Sequence, residues 1–351
     1  MYRMNYIPAS AVAAIAGRHR YVSQNEGISK NLETYCPLVW DELMTVATYD
    51  AVCAKNLDVI TSQYTNVELD LSASSTENIL RISENPDIQS LLESLPVIPE
   101  KPLCTSTEYM NMACALIKAT PALQDLHNAS VVGIRIDSTV LDKGVTDIVS
   151  QTNDIPSDII KQAVISEISK HRGTKLEDST MRSTGLVNAL NSLYPMNKVT
   201  KPKTVYKRYF STDPTSSVIG YECASDVPRD NDNNVYTISG CIDSMVSCAD
   251  TGEPLCILEI KNRMKRFYTP EHDLIQLYVY ILLCDVPRGH LVQQLSGNVR
   301  MSDVINRCDA LTKWTSVKDD LDKAVLYSHR IKRNNMSMEA LAFMKTCTFC
   351  V

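Results

Sequence analysis

Asp243, Glu259 and Lys261 are the residues whose types and spacing could do chemistry. They lie in two apolar runs, Val235–Ser247 and Pro254–Arg263, separated by the turn cluster Ala249-Asp-Thr-Gly-Glu-Pro254. Such a cluster joins antiparallel strands. Side chains alternate along a strand, so Glu259 and Lys261 share one face while Ile260 points to the other. A hairpin can bring Asp243 beside that face. Paired carboxylates hold a hard divalent cation, Mg²⁺ or Mn²⁺, which lowers the pKa of a bound water and neutralises charge building on a phosphate. A lysine two residues along can orient the attacking water or screen the transition state. The chemistry implied is phosphodiester hydrolysis. The competing reading of Glu-x-Lys alone is a solvated pair on an edge strand.

The elements that must position these groups follow from the flanking sequence. A helix is expected after Pro156, through Ile159–Ser169 and on past His171-Arg172-Gly173 to Glu177 and Met181. Gly173 lies one turn before Glu177 and removes bulk from the face Glu177 uses. Val205–Phe210, Ser217–Glu222 and Gly289–Leu295 read as strands. Glu271–Leu283 reads as an apolar helix, with Gln276 and Tyr280 on one face at i, i+4. A glutamine there needs a hydrogen-bond partner, which an acidic site would supply.

Toward the N-terminus, residues 7–17 read as a short helix with Ser10 as N-cap and Gly17 as its stop. A helix N-terminus is a ready anion site, and Arg3 could add a cation to it. An ordinary capped helix behind a frayed end fits the same spacing. Residues 31–150 read as mostly helical, with loops between Ser72 and Pro102 and no chemistry motif. Residues 302–333 read as helical, and the tail ends Cys347-Thr-Phe-Cys350.

Composition bounds the class. The 351 residues suffice for one large domain or two modest ones, and no run approaches the length of a membrane span. No signal pattern opens the chain, and 12 cysteines without framework spacing fit reduced thiols. A soluble intracellular protein is expected. The net charge of −6 is uneven: residues 1–160 hold 10 Lys and Arg against 20 Asp and Glu, whereas residues 161–351 hold 25 against 21. Basic clusters at Lys201, Lys203, Lys207 and Arg208, at Lys261, Arg263, Lys265 and Arg266, and at Arg330, Lys332 and Arg333 are a footprint for phosphate binding. Each taken singly also fits a solvated surface.

Taken in order, Gly173…Glu177, Gly240-Cys-Ile-Asp243, Glu259-Ile-Lys261 and Gln276…Tyr280 resemble the PD-(D/E)xK nuclease superfamily. More narrowly, the chain resembles the phage lambda exonuclease (YqaJ-type) family, which opens with an Arg, an Ala-Ser pair seven residues later and a Gly-ended helix. The run Glu259–Tyr268 is similar to versions in large DNA viruses. The resemblance covers residues 1–21 and about 155–300. It departs from the pattern at Ile242, where the family has Pro, and in the long acidic middle.

The resemblance implies an α/β, restriction-endonuclease-like core at 151–300, with a central mixed sheet flanked by helices. A mostly helical, acidic region at 1–150 would precede it, and a helical segment at 301–351 would follow. It implies that Asp243, Glu259 and the Ile260 carbonyl bind Mg²⁺ (or Mn²⁺), that Lys261 positions water, and that Glu177 and Gln276 support the site. Arg3 and Ser10 would grip a 5′-phosphate, with Arg172, Gly173, Arg263 and Tyr280 further along the DNA. The implied activity is 5′→3′ digestion of duplex DNA from a phosphorylated end, for viral recombination, repair or replication processing. Implied partners are duplex ends and a single-strand annealing protein, with oligomerisation open and no membrane. The site would act in the cytoplasm or nucleus of a host cell. Two alternatives are a Cas4/RecB-like iron–sulfur nuclease using Cys347 and Cys350, and a non-catalytic DNA-binding adaptor.

Overall fold

The strands of the middle of the chain form a ribbon that two sheets share. A computed structural model describes residues 5–95, 106–130, 157–212, 235–263, 266–333 and 337–346, with positions 143 and 146. Strands β2 (Asn197–Thr200) and β3 (Tyr206–Ser211) run antiparallel to β5 (Ser244–Cys248) and β4 (Val235–Gly240), respectively. Beside β4 lies β1 (Asn5–Pro8), parallel to it, giving a three-stranded sheet β1-β4-β3. Beside β5 lies β6 (Pro254–Asn262), which leads into a second sheet in the order β2-β5-β6-β7-β8. There β7 (Arg288–Leu295) runs parallel to β6, while β8 (Asn298–Met301) and β9 (Ile305–Asn306) run antiparallel to β7. The chain leaves the first sheet at Gly240 and enters the second at Ser244. The three residues between include Asp243.

Helices cover these sheets. A 3₁₀ turn at Ala9–Ala11 precedes α1 (Val12–Ile15), followed by α2 (Gln24–Tyr35), α3 (Pro37–Gln63), α4 (Ser75–Ile82) and α5 (Pro86–Leu92). Next come α6 (Ser106–Ala119), α7 (Pro121–Ala129), α8 (Ser157–Met181) and α9 (Thr184–Leu193). The last three are α10 (Glu271–Cys284), α11 (Arg307–Arg333) and α12 (Met338–Thr346). The architecture is α/β with mixed sheets, as expected. Helix α10 is apolar almost all round and accordingly buried, with Ile275, Leu277, Val279 and Ile281 at most 2% exposed. Each such side chain removed from water is worth about 1.5–3 kcal/mol.

The largest apolar cluster joins Ile7–Met44 of the N-terminal segment to α10, α11 and α12, with Phe210, Tyr236 and Ile238 of the first sheet. Packing therefore does not follow the expected divisions at 150 and 300. A second cluster joins α6 and α7 to the first half of α8, through Tyr109, Ile117, Leu123, Ile160 and Val164. A third lies between α9 and the outer face of the second sheet, around Leu186, Leu190, Val246 and Ile260. The C-terminal half of α8 lies against β6, so one helix links the α6–α7 layer to the strand bearing Glu259 and Lys261.

The expected capped helix at 7–17 is corrected. The segment starts as a 3₁₀ turn, its N-cap position is Pro8, and Ser10 caps nothing. The stop at Gly17 holds: its φ is +72°, and the Arg18 N–H closes the turn on the Ala13 carbonyl at 2.8 Å. The strand expected at 217–222, Arg3, Cys347 and Cys350 all lie outside the described residues.

Candidate active site

The site is built at a fork between strands. β5 and β6 pair as far as Ser244 opposite Leu258, after which β6 departs and keeps only β7 as a partner, through Asn262. The next rung is made by a side chain: Asp243 Oδ2 accepts the Ile260 N–H at 2.6 Å. The N–H and C=O of one strand residue lie on the same edge, so the Ile260 carbonyl faces that gap as well. Burial pushes the Asp243 carboxyl up to about 6. The Ile260 N–H opposes the shift, and neighbouring Glu177 adds to it.

On the α10 side of the fork, Glu259 is 3% exposed. Its Oε1 pairs with Lys261 Nζ at 2.9 Å, while Oε2 is buried with no hydrogen-bond partner among the described residues. Burial pushes its carboxyl up, although Lys261 works against this. Lys261 Nζ also donates to Gln276 Oε1 at 2.8 Å, and Gln276 Nε2 donates to the Tyr280 hydroxyl at 3.3 Å. Burial alone would lower the Lys261 ammonium, but Glu259 and Asp273 outweigh it and raise it. Gly240 makes room for this chain of bonds: a Cβ there would stand 2.6 Å from Tyr280 Cε1. Strand alternation and helical i, i+4 spacing thus bring Glu259, Lys261, Gln276 and Tyr280 together as expected.

On the α8 side, Glu177 Oε2 meets Lys201 Nζ at 2.5 Å, with Asp178 Oδ1 at 3.9 Å from the same nitrogen. A groove of about 320 Å³ opens here, with Asp243, Glu177, Lys201, Arg182, Ser244 and Ile260 among its lining. The Gly173 carbonyl accepts from Asn262 Nδ2 at 3.0 Å, and the space where its Cβ would sit is open.

The expected DNA contacts at Arg172 and Arg263 are corrected, because both guanidiniums point inward. Arg172 is 5% exposed and donates to the Arg263 carbonyl at 3.1 Å, tying α8 to the end of β6. Arg263 is 8% exposed, pairs with Asp273, donates to Gln293 Oε1 at 3.0 Å and stacks on Tyr268. Tyr280 is buried as well, so it supports Gln276 and presents no surface to a ligand. Ser10 is exposed, at the edge of a separate depression of about 260 Å³ that His19, Lys30 and Asn31 also line.

Two site residues escape a reading of the sequence. Asp273 sits between Arg263 and Lys261, its Oδ1 3.7 Å from Lys261 Nζ. Its signal is the i, i+3 spacing to Gln276 on one helix face. Lys201 stands out beforehand only as one cation of a basic cluster.

Among the described residues, no three His, Cys, Asp or Glu side chains are gathered into a metal-binding cluster. The expected ligand set needs only two such side chains, with a backbone carbonyl as the third donor. It fits: Glu259 Oε2 is a buried oxygen lacking a partner, and Asp243 and the Ile260 carbonyl share the gap beside it. Oxygen donors of this kind suit Mg²⁺ or Mn²⁺. No helix among the described residues is long and apolar enough to cross a membrane.

No family model matches the chain, and no curated protein matches it. Among solved structures, the crystal structure of SSO0001 is similar at 17% identity and a TM-score of 0.29, over 61% of this chain and 97% of that one. A likeness at that level bears on neither fold nor function.

Proposed function

We propose that this chain is a Mg²⁺-dependent deoxyribonuclease with a restriction-endonuclease-like core, digesting duplex DNA 5′→3′ from a phosphorylated end. The observation that carries the reading is the fork. A carboxylate takes the place of a strand partner at Ile260, beside a buried carboxylate oxygen that has none and a lysine held by a glutamine. A purely structural Glu-x-Lys pair on an edge strand would be solvated, whereas Glu259 is buried.

A cation held by Asp243, Glu259 and the Ile260 carbonyl would supply Lewis acidity and a water of lowered pKa. The residues themselves do the rest. Gln276 and Glu259 fix two of the three donor directions of the Lys261 ammonium. Asp273 adds a more distant carboxylate at 3.7 Å, and the ammonium so held would orient water for in-line attack or screen charge on the phosphate. Water adds at phosphorus, the bond to the 3′-oxygen breaks, and that oxygen leaves as a hydroxyl. The shortened strand then ends in a new 5′-phosphate, so each turnover regenerates the end. Ser10, with Arg3, is proposed to read that phosphate, and duplex ends with a strand-annealing partner are the proposed company.

The test uses duplexes labelled at one end, with 5′-phosphate or 5′-hydroxyl, in Mg²⁺ or EDTA. Mononucleotide release that needs Mg²⁺ and prefers the phosphorylated end is the expected result. No cleavage in Mg²⁺ or Mn²⁺ overturns the proposal. Cleavage without end preference removes only the role of Ser10 and Arg3.

A further inference from the structure

Three arginines near the Lys261 end of the site have rings for neighbours where other arginines have carboxylates. Arg18, Arg263 and Arg307 each meet an aspartate. Arg20, Arg266 and Arg300 are exposed, and among the described residues none of them forms an ion pair. Arg20 lies over the Tyr21 ring at 5.5 Å, Arg266 over Tyr268 at 5.9 Å and Arg300 over Phe267 at 4.7 Å. The three pairs are adjacent. Tyr21, 63% exposed, interacts with Tyr268 and stands edge-on 6.1 Å from His272 of α10. Phe267 and Tyr268 are consecutive and half-buried, in the segment between β6 and α10. Gln293 of β7 fixes that segment: its Oε1 accepts the Tyr268 N–H and its Nε2 donates to Thr269 Oγ1, both at 3.0 Å. In the sheet Gln293 is in register with Lys261 on one side and Arg300 on the other, so the three side chains share a face. The ring-and-arginine surface therefore continues the row that begins at Lys261.

We propose, building on the nuclease reading, that this surface binds single-stranded DNA: unpaired bases stack on Tyr21, Phe267 and Tyr268, and Arg20, Arg266 and Arg300 meet the phosphates between them. The chemistry favours a single strand over a duplex. A stacking ring needs a base with its face uncovered, which a paired base inside a helix lacks. Attraction between an exposed arginine and a ring is weak, so a base can enter between them and gain two flat partners, or the guanidinium can turn outward to a phosphate. Backbone contacts to a duplex would need the cations alone. The strand concerned is the one left behind. Digestion turns one strand into mononucleotides, so its complement is the single strand that lasts, and it emerges as a 3′ overhang.

Fluorescence anisotropy of a labelled thymidine strand of about twenty nucleotides, titrated with the full chain in EDTA, reads binding without cleavage. Wild type is expected to bind it at least about tenfold tighter than an abasic strand of equal length, which keeps the phosphates and lacks the bases. Tyr21→Ala with Phe267→Ala should remove most of that gap, Tyr21→Trp should keep it, and affinity for blunt duplex should move less than about twofold in either. Changing Arg20, Arg266 and Arg300 together to Met should lower the salt slope by about two, at roughly 0.7 per contact. A 3′ overhang of about ten nucleotides should strengthen duplex binding by wild type and not by the double variant. A gain confined to a 5′ overhang overturns the assignment to the strand left behind. Equal binding of thymidine and abasic strands by wild type refutes the stacking surface, and that comparison needs no variant. So does an equal loss of duplex and single-strand affinity in a double variant that melts like wild type. Either result leaves the nuclease reading standing, because cleavage of end-labelled duplex in Mg²⁺ decides that separately.

Discussion

The two sides of Asp243 carry similar pairs of charges in opposite settings. Toward α10, Arg263 and Asp273 form a pair with side chains 9% and 7% exposed, interlocked with Lys261, Glu259 and Gln276. Toward α8, Lys201 and Glu177 are 53% and 22% exposed, at the wall of an open groove. In the first setting, removing one partner strands a desolvated charge, so geometry is enforced. In the second, water replaces a lost partner at little cost, so the pair can part without stranding a buried charge. Rigid placement lies on one side of the fork, and separable charge on the other.

The largest effect should come from breaking the buried side. Arg263→Ala leaves Asp273 buried and short of its main partner, and is expected to destabilise the fold by about 3–5 kcal/mol. Urea unfolding measures this, and a loss under 1 kcal/mol would erase the contrast. Lys261→Ala should slow cleavage by about a hundredfold or more, since it removes an oriented cation from the transition state. A rate equal to wild type on a phosphorylated duplex would remove Lys261 from the chemistry.

A pH series sharpens the comparison at Asp243 itself. Its folded carboxyl is pushed up to about 6 from an ordinary 3.8, because burial disfavours the charged form. The raised value means its contribution to stability is complete below 3.8 and is lost as pH rises toward about 6. In EDTA, Asp243→Asn should therefore gain in Tm relative to wild type across that window and hold a constant difference above it. A difference that is flat from pH 4 to 7 would show that the carboxyl is not desolvated. Smallest is the exposed side: Glu177→Ala should change stability by no more than about 1 kcal/mol. A larger loss in the same urea experiment would mean that the α8 pair is structural after all.

What was legible in the sequence is what local geometry fixes. Glu259 and Lys261 share a face because strands alternate, and Gln276 and Tyr280 share one because helices repeat. Helices α8 and α10 and the strand at 288–295 follow from periodicity in the same way. What was not legible depends on partners far along the chain. Arg263 and Arg172 look like phosphate ligands in a basic run, and only the placement of Asp273 and of α8 turns them inward. Ser10 looks like a cap, but Pro8 begins a 3₁₀ turn that places the serine inside it. The pairing of Glu177 with Lys201 joins a helix to the end of a strand, and no spacing rule reaches across that gap.

One hydrogen bond belongs at once to the sheet and to the proposed site. Among the described residues the Ile260 N–H has no strand opposite it and is satisfied by the Asp243 side chain. Whatever draws the Asp243 carboxylate away from that rung also uncovers the amide. The exchange rate of a single backbone proton against deuterium is thus a built-in gauge of the site. It should read the departure of one oxygen atom by one bond length, with no substrate turned over and no label attached.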